Sequence, residues 1–518
     1  LMRKQPTKLW LGFGFDWGPQ HTQRVTEIRR RAVKTVMPPE WFMKLKKVKP
    51  LDETKGAPWI HGVEPEEKHI YVPLDALEGH VLVFGTTGSG KTRLLETVVS
   101  QAIERKEVLV MLDPKGDKEL RDIAQRACKA CGRPDAFVQF HPAFPKQSVR
   151  LDPLKNWGRS TELASRIAAL MISEDAFQAF AWSAINVVAD GLIYIDQAPT
   201  LVTLRKFIEG GPDTLMERVL KEFFNRHMPR WETLVTPFLE KARNGKLPLK
   251  LSAAATPELL AYIYFYRHEV PEDKRDQVVD GLLSMVEHSR DHLSKILASL
   301  VPLLRQLTAG ELGPLLSPDA EDIDDPRPLL DTKKLISGGH VLYLGLDSLS
   351  DATVGSAIGS IILSDLTAVA GDIYNYSDGK PKKIQLVVDE AAEVVNGPLI
   401  QILNKGRGAG FVAWLLTQTL PDFIARMGSE PKARQMLGNC NNLIALRTKD
   451  RQTQDFICET FGKTDIQVLA RSQSIGSRTD DGGLHFTGNA SESLQQTSVD
   501  LISPELLGML PDLHYIAS

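Results

Sequence analysis

The sequence predicts an α/β protein in which a mostly parallel sheet is covered by helices and carries an inserted all-α domain. Short apolar strands alternate with helical segments after residue 80 and again after about residue 330. Between these regions, residues 159–315 carry long helical patterns and little strand signal. A glycine-rich loop of the phosphate-binding kind follows the first apolar strand.

The first part of the predicted α/β domain spans residues 75–155. Each candidate strand is a short apolar run bounded by polar turns, the pattern of a strand buried on both faces. Helical segments separate the strands, so we expect parallel strands joined by helical crossovers. The strands are predicted at 80–84, 107–112 and 136–140, and the helices at 90–105 and 117–130.

The inserted all-α domain is predicted over residues 156–329, an ordinary domain size. The chain then returns to the sheet, because residues 340–346 again form an apolar run. The helical patterns of the insertion lie at residues 161–171, 177–195, 203–209, 212–226 and 270–312.

The second part of the α/β domain is predicted over residues 330–518. Residues 472–500 are rich in Ser, Thr, Gly and Asp, which predicts a polar hairpin or a mobile loop around Asp480-Asp481-Gly482-Gly483. Strands are predicted at 383–388, 411–416 and 442–447, and helices at 353–370, 397–408 and 450–462.

The composition of the 518 residues is that of a globular protein, with 42% apolar and 25% charged residues. Because 62 Lys and Arg oppose 65 Asp and Glu, the formal charge of −3 says nothing about partners. Four cysteines favour a reducing compartment over a disulfide-stapled secreted protein. Cys128 and Cys131 have redox or half-zinc spacing, but no second pair lies near them, which favours structural thiols.

Residues 1–74 are predicted to form a basic juxtamembrane segment. No run of about 18 apolar residues is present, so no bilayer-spanning helix is predicted. The chain begins at Leu1, and residues 24–49 carry nine Lys and Arg around Trp41 and Phe42. This cluster suits the cytoplasmic edge of a membrane anchor removed upstream, or a phosphate-rich partner. An ordinary solvated face explains it equally well.

The phosphate-binding loop is the most specific motif in the chain. Its backbone N–H groups would curl around the triphosphate of ATP, and Lys91 would reach the β- and γ-phosphates. Thr92 would hold Mg²⁺ at the N-terminus of the following helix. The complete G-x-x-x-x-G-K-[ST] sequence comprises Gly85, Thr86, Thr87, Gly88, Ser89, Gly90, Lys91 and Thr92.

An apolar strand that ends in two carboxylates follows later in the chain, at residues 383–390. This is the arrangement of a Walker B element. Asp389 would order the Mg²⁺ shell, and Glu390 would polarise the attacking water. An exposed strand end is the alternative explanation of the two acids.

Three polar residues near later strand ends are candidates for the same reaction. Gln418 ends the strand after the Walker B element, where its amide would bond water and γ-phosphate, unless it only caps the strand. Arg407 lies on a glycine-rich turn and would stabilise transition-state charge on a neighbouring subunit's nucleotide, as an arginine finger does. A solvated loop arginine is the alternative, and Arg447 is a weaker candidate for the same role.

The turn after the second strand reads Asp113-Pro114-Lys115-Gly116-Asp117. Ligands of open α/β sheets bind outside the carboxyl ends of the strands. We therefore expect Asp113 and Lys115 to face the nucleotide or a subunit border, although helix capping by Asp117 explains part of the motif. Residues 335–340 look like a transporter-ATPase signature, but a strand follows them instead of a helix, so we reject that interpretation.

Together these motifs resemble those of the type IV coupling proteins of bacterial conjugation, and the TraD-like branch of integrative elements looks closest. The resemblance extends over residues 75–515. It rests on the phosphate-binding loop, Asp113-Pro114-Lys115-Gly116, the helical insertion, Leu386-Val387-Val388-Asp389-Glu390, Gly406-Arg407-Gly408 and Leu416-Thr417-Gln418-Thr419.

The resemblance implies a RecA-like motor domain, an all-α domain and a homo-hexameric ring with nucleotide at the subunit borders. It also implies an N-terminal anchor in the bacterial inner membrane, with this part of the protein on the cytoplasmic face. The implied function is an ATPase that delivers relaxase-bound DNA to a type IV secretion channel. DNA would be held mainly by its phosphates, without base readout.

Two other classes of function remain open at this point. One is an FtsK-like or HerA-like translocase of chromosomal DNA, although we find no winged-helix pattern after residue 450 and no N-terminal β-barrel signal. The other is a substrate receptor or adaptor that uses nucleotide only to assemble. The intact Lys91, Asp389, Glu390 and Gln418 favour a competent ATPase over that adaptor.

Overall fold

A computed structural model describes residues 5–31, 38–47, 55–171, 176–249, 251, 255–287, 297–377, 379, 381–480 and 483–518. The chain divides into two compact units. The first comprises Leu1–Gln101 and Trp414–Ser518, and the second comprises Ala102–Ala413. Part of the basic cluster at residues 24–49 lies outside the described residues, as do Asp481 and Gly482 of the predicted turn.

The strands and helices are numbered along the chain. The strands are β1 Lys8–Gly14, β2 Lys68–Pro73, β3 Val81–Phe84, β4 Val108–Asp113, β5 Phe137–Phe140, β6 Arg150–Leu151, β7 Leu329–Leu330, β8 Val341–Gly345, β9 Ile384–Val388, β10 Phe411–Thr417, β11 Asn442–Ala445, β12 Lys463–Asp480, β13 Gly483–Asp500 and β14 Ile516–Ala517. The helices are α1 Pro19–Arg30, α2 Glu40–Leu45, α3 Lys91–Glu104, α4 Lys118–Ala130, α5 Ser160–Ala168, α6 Ala176–Tyr194, α7 Leu201–Gly210, α8 Asp213–His227, α9 Trp231–Arg243, α10 Pro257–Glu269, α11 Gln277–Glu287, α12 Leu300–Leu307, α13 Leu312–Leu316, α14 Thr332–Gly338, α15 Ala352–Tyr376, α16 Gly397–Lys405, α17 Leu420–Met427, α18 Glu430–Leu437, α19 Arg451–Phe461 and α20 Pro504–Met509.

The core of the first unit is the strand order β14-β11-β3-β10. β10 and β11 both run parallel to β3, with Trp414 and Asn442 opposite Val81. The terminal strand β14 is antiparallel to β11. β3 reads Val-Leu-Val-Phe and is buried along its whole length, as its continuous apolar run predicts.

The N-terminal residues of the first unit are more ordered than a basic segment alone would suggest. β1 and β2 pair antiparallel with a bulge between Trp10 and Gly12, although about 50 residues separate them in the sequence. The side chain of Gln101 on α3 bonds both the N–H and the carbonyl of Trp10, each at 2.9 Å. This sheet is therefore attached to the helix that follows the phosphate-binding loop.

A two-stranded antiparallel ribbon, β12–β13, also belongs to the first unit. Its strands of 18 residues each pair in continuous register, from Lys463 opposite Asp500 to Asp480 opposite Gly483. The predicted polar hairpin is present, and it begins earlier than residue 472. At its base, Leu501 N donates to Gly462 O at 2.9 Å, and Thr22 Oγ1 donates to Leu501 O at 2.7 Å.

The second unit contains the parallel strand order β9-β4-β8-β5. Helix α15 packs within this unit and is long and apolar enough to cross a membrane by length and composition. However, 78% of its most apolar window is buried inside the structure, which is the behaviour of a core helix.

The chain enters and leaves the helical part of the second unit through a short two-stranded sheet. The short strands β6 and β7 pair in parallel, with Arg150 opposite Leu329. The helices α5 to α13 lie between them in the chain. A buried ion pair, Arg166 Nη1 to Asp365 Oδ1 at 2.8 Å, joins α5 to α15. The predicted continuous pattern at 270–312 consists of separate helices, and residues 288–296 lie outside the described residues.

Candidate functional site

The phosphate-binding loop connects β3 to α3 in the first unit, and Lys91 is the first residue of α3. Gly88 and Gly90 have φ angles of +79° and +115°, a region in which residues with side chains are strained. A Cβ atom at Gly90 would also lie 2.8 Å from Cδ2 of Leu513. Glycine is therefore required at position 90 by the backbone and by packing.

The backbone of the loop is held by the strands on either side of β3. Gly85 N donates to Thr417 O at 3.2 Å, at the end of β10. Thr86 donates to Arg447 O, after β11, from its N–H at 2.9 Å and from its hydroxyl at 3.1 Å. The loop therefore lies at the carboxyl ends of these parallel strands, where α/β sheets bind ligands.

Two side chains of the loop bond its own carbonyl groups. Ser89 is fully buried, and its hydroxyl donates to Thr86 O at 2.7 Å. Lys91 Nζ donates to Gly85 O at 2.7 Å. The ammonium group and the N-terminus of α3 both favour an anion at this loop. Thr92 is the second residue of that helix and is half-buried.

Gln418 lies beside the loop. It directly follows β10, and its Oε1 accepts a hydrogen bond from Thr87 Oγ1 at 3.4 Å. The structure thus brings the predicted sensor and the phosphate-binding loop together within one unit.

The C-terminal residues also contact the loop. Leu513 N donates to Ser89 O at 2.9 Å. The guanidinium of Arg447 is mostly buried, pairs with Asp512 and donates to Leu510 O at 3.4 Å. The arginine considered as a second finger is therefore engaged by its own chain. Residues 510–515 carry no motif that would have revealed this contact.

The acidic pair lies in the second unit, directly after β9. Asp389 is half-buried, and Glu390 is 7% exposed. Glu390 has φ +40° and ψ +51°, a left-handed conformation that is rare for residues other than glycine. Its N–H donates to Asp389 Oδ1 at 3.0 Å. Such a conformation at a buried acid is common at functional sites.

Glu390 forms an ion pair with Lys115 in the same unit. Lys115 Nζ lies 2.5 Å from Glu390 Oε1. Burial lowers the pKa of Lys115. The hydrogen bond and the charge of Glu390 raise it, as do the charges of Asp389 and Glu393. The net effect is a pKa above the ordinary value for lysine. Lys115 is therefore a stable cation beside the predicted catalytic carboxylate.

Asp113 is hydrogen-bonded within its own turn. Its side chain is fully buried in this chain. One oxygen accepts from the N–H groups of Lys115 at 3.0 Å and Gly116 at 3.1 Å. The other accepts from Asp117 N at 2.5 Å and from the Tyr343 hydroxyl at 2.7 Å. The carboxylate fixes the turn that carries Lys115, and Asp117 caps α4 through Glu119 N.

The environment of Asp113 has opposing effects on its ionisation. Burial raises the pKa of Asp113, while hydrogen bonds from Tyr343, Asp117 and Gly116 lower it, and the net shift is upward. This is the pattern of a structural carboxylate whose hydrogen-bond capacity is used within the turn.

Arg407 lies on a short 3₁₀ turn, Gly406–Ala409, between α16 and β10, and is exposed. The turn is adjacent to the start of β9, because Ile384 N donates to Gly410 O at 2.9 Å. Glu390 follows the other end of β9. Within one chain, the strand therefore separates Arg407 from Glu390, by about 17 Å for five residues.

Two families match parts of the sequence. Residues 383–512 match the family described as the TraM recognition site of TraD and TraG. Residues 63–130 match the central domain of the helicase HerA. The first match covers Glu390, Arg407 and Gln418, and the second covers the phosphate-binding loop.

A curated relative is the type 4 coupling protein DotL of Legionella pneumophila. It is 22% identical over 464 residues, which cover 83% of this chain and 54% of DotL. The chain thus spans about half the length of that protein.

Solved structures of the plasmid coupling protein TrwB have the same fold. The unbound monoclinic form of TrwBΔN70 is 15% identical, with a TM-score of 0.56 over 92% of this chain and 88% of TrwB. TrwB in complex with the ATP analogue ADPNP is 14% identical, with a TM-score of 0.51 over 86% and 84% of the two chains. The predicted resemblance to type IV coupling proteins and the RecA-like fold with a mostly parallel sheet are confirmed.

Proposed function

We propose that this chain hydrolyses ATP to drive the transfer of relaxase-bound DNA into a type IV secretion channel. The observation that carries the proposal is the phosphate-binding loop held at the strand ends, with Gln418 hydrogen-bonded to Thr87, in the fold of the coupling proteins. The similarity to the conjugative coupling protein TrwB and to the type 4 coupling protein DotL supports a coupling role.

The loop is proposed to bind the triphosphate of ATP. The N–H groups around Gly88 and Gly90 suit phosphate oxygens, and Lys91 exchanges its bond with Gly85 O for the β- and γ-phosphates. Thr92 is proposed as an Mg²⁺ ligand. The ion would neutralise developing charge on the phosphates when bound. A TrwB structure with ADPNP supports nucleotide as the ligand class.

Asp389 is proposed to contribute to the Mg²⁺ shell, and Glu390 to orient and deprotonate the attacking water. Among the described residues, no group of three or more His, Cys, Asp and Glu could hold a metal by itself. A single carboxylate and a hydroxyl nevertheless suit Mg²⁺, which keeps several waters and takes further oxygens from phosphates.

Gln418 is proposed to orient water against the γ-phosphate, and Arg407 to stabilise transition-state charge on the nucleotide of a neighbouring subunit. The distance of Arg407 from Glu390 along β9 supports action between subunits, because the two lie at opposite ends of that strand in one chain. The assembly is proposed to be a homo-hexameric ring.

The proposed partners are DNA, the relaxase or relaxosome and type IV secretion components. DNA contacts would be to phosphates, so binding would weaken steeply with salt. The proposed location is the cytoplasmic face of the bacterial inner membrane, through an N-terminal anchor. The HerA match covers only residues 63–130, the nucleotide-binding part, and so does not favour a chromosomal translocase.

ATP hydrolysis at rising protein concentration, with and without single-stranded or duplex DNA, tests this proposal. The parent should show turnover that rises faster than linearly with concentration and increases with DNA. Lys91→Ala and Arg407→Ala should each be inactive, and Lys405→Ala, a neighbouring exposed cation, should match the parent.

Mixing the two inactive variants tests the shared site directly. In a mixed ring, a Lys91→Ala subunit supplies Arg407 to the intact loop of its neighbour, so activity should return. DNA-independent turnover that is linear in concentration and unaffected by Arg407→Ala would overturn the motor proposal and favour the nucleotide-gated adaptor.

A further inference from the structure

The ribbon β12–β13 is attached to the first unit at its base, through Gly462 and Thr22. Strands of 18 residues extend about 60 Å. Residues 471–477 and 488–498 are exposed without exception. Within the described part of the chain, each strand of the ribbon pairs only with the other, so neither outer edge is paired with a further strand.

The sequence of the ribbon lacks the features that normally protect such edges. Natural edge strands carry lysines, prolines, bulges or inward charges that prevent pairing with another chain. Residues 463–500 contain no proline, and their only lysine is Lys463 at the base. The register has no bulge. Apart from His485, the only ionisable residues in 466–477 and 484–499 are Arg471 and Glu492.

The two faces of the ribbon differ. One face carries Leu469, Leu494 and Ile475, which are 48%, 64% and 73% exposed, and Leu469 lies directly opposite Leu494. Side chains alternate between faces, so the other face is the row of small residues Ala470, Ser472, Ser474, Asn489, Ser491 and Ser493. On this face the Arg471–Glu492 pair lies between the Leu469–Leu494 pair and Ile475, so a strand added at the edge would contact apolar side chains as well as the ion pair.

The charges identify the partner. Arg471 on β12 and Glu492 on β13 are directly opposite each other and form an ion pair at 2.8 Å. If the β12 edge of one copy pairs with the β13 edge of the next, Arg471 lies between its own Glu492 and that of the neighbour. Pairing two β12 edges with their Arg471 side chains opposite each other would be repulsive, and Arg471 would meet an anion only if the register shifted to Asp465. The head-to-tail arrangement places Arg471 opposite Glu492 without such a shift.

We infer that the ribbon Lys463–Asp500 forms an intersubunit sheet with a second copy of this chain, β12 of one copy against β13 of the next. When all the ribbons point in the same direction, β12 and β13 strands alternate along the intersubunit sheet. Each contact between copies is therefore antiparallel, because β12 and β13 run in opposite directions. A head-to-tail interface of this kind generates a ring when the rotation between successive copies closes. The inference extends the proposed hexamer by naming a contact that holds neighbouring subunits together.

Charge reversal in the full chain tests the inference. Arg471→Glu and Glu492→Arg should each lower the self-association constant about tenfold or more, since like charges oppose each other at every contact. A one-to-one mixture should recover the association of the parent, because each contact in an alternating ring then joins opposite charges. Sedimentation velocity from about 1 to about 100 μM measures this, since association follows mass action.

Two further variants distinguish a lost ribbon contact from a folding defect. The double reversal R471E/E492R restores the pair and should associate as the parent does. A shortened ribbon, in which an Asn-Gly turn replaces residues 472–491, should associate at least about tenfold more weakly. Reversing the exposed pair Arg243–Glu258 in separate chains should not produce complementation on mixing.

A mixture that associates no better than either single variant would overturn the inference, as would a shortened ribbon that associates like the parent. If the shortened ribbon associates like the parent, the expected partner of the ribbon edge would be a strand from a different protein. Failure of the proposed function is distinguishable, because Lys91→Ala should remove hydrolysis while leaving ribbon-dependent association intact.

Discussion

Lys115 and Glu390 form an ion pair 2.5 Å long that joins the turn after β4 to the residue pair after β9. The turn is itself fixed by the buried carboxylate of Asp113. Lys115 therefore occupies a fixed position beside the carboxylate that we propose as the base. Its raised pKa keeps it charged throughout the neutral range.

Glu390→Gln should reduce ATP hydrolysis about 10²- to 10⁴-fold with nucleotide binding retained, because the base is lost. Lys115→Ala should reduce turnover less, and the double variant should be no slower than Glu390→Gln alone, since Lys115 acts through Glu390. Steady-state turnover and a fluorescent-nucleotide titration measure both effects. Lys118→Ala is the control, and additive losses would contradict this relationship.

Gln418→Leu should slow hydrolysis by about 10²-fold while changing nucleotide affinity little, because its amide acts on the reacting water. Single-turnover kinetics separate the chemical step from binding. Thr87→Val removes the hydroxyl that donates to Gln418 Oε1 and should cause a smaller loss. A tenfold or larger loss of affinity in Gln418→Leu would show that the residue binds nucleotide instead.

Gly90→Ala should abolish nucleotide binding and lower the free energy of unfolding by about 1–2 kcal/mol, because a side chain is strained at positive φ. Leu513→Ala should remove the contact with Leu513 Cδ2 in Gly90→Ala without restoring binding, because the strain at positive φ and the contact with Leu513 Cα at 3.2 Å remain. Gly62→Ala is the control, since a Cβ there meets nothing within 4 Å. Thermal unfolding with and without ATP measures these changes.

Arg447→Ala and Asp512→Ala should weaken nucleotide binding to similar extents and non-additively, with a coupling energy of about 0.5–3 kcal/mol. Both residues hold the C-terminal segment against the loop. Isothermal titration of the two single variants and the double variant measures the coupling. Recovery of activity on mixing Arg447→Ala with Lys91→Ala would instead show that Arg447 acts between subunits.

At a pH above the folded-state pKa of Asp365, Asp365→Ala should lower the free energy of unfolding by about 3–5 kcal/mol, because it leaves Arg166 buried without its anion. Burial raises the pKa of Asp365 from 3.8 to about 7, against the opposing effects of Arg166 and Thr332. The folded protein then binds the extra proton in this range, so stability from this group falls as pH rises from about 4 to about 7.

Asp365→Asn should remove this pH dependence, which urea denaturation at several pH values measures. As pH rises from about 4 to about 7, the free energy of unfolding of the parent should fall relative to that of Asp365→Asn. A parent that gains stability relative to that variant as pH rises would show that the Asp365 carboxylate is ionised throughout.

The parts of the fold predicted correctly have strong local signals. β3 and β9 are continuous apolar runs followed by polar turns, so their position and burial follow from the sequence. The phosphate-binding loop has an equally clear sequence signal, since Gly88 and Gly90 adopt positive φ angles that favour glycine. Gln418 lies beside this loop because parallel strands place their carboxyl ends at one edge.

The features that the sequence did not reveal depend on distant pairing. β14 has only two residues and pairs through Ile516 and Ala517 with β11. β1 and β2 pair although about 50 residues separate them. Asp113 looked like a ligand residue because a carboxylate at a strand end has the same sequence whether it faces a ligand or its own turn. Only the surrounding N–H groups and Tyr343 distinguish the two.

The position of Arg407 at the far end of β9 from Glu390 bears on how the cell would control this protein. If the arginine serves only a neighbour's nucleotide, a solitary chain consumes no ATP, however much is present. The local concentration of the protein then controls ATP hydrolysis. Isolated copies are inactive, and hydrolysis begins where enough copies assemble, with no dedicated inhibitor required.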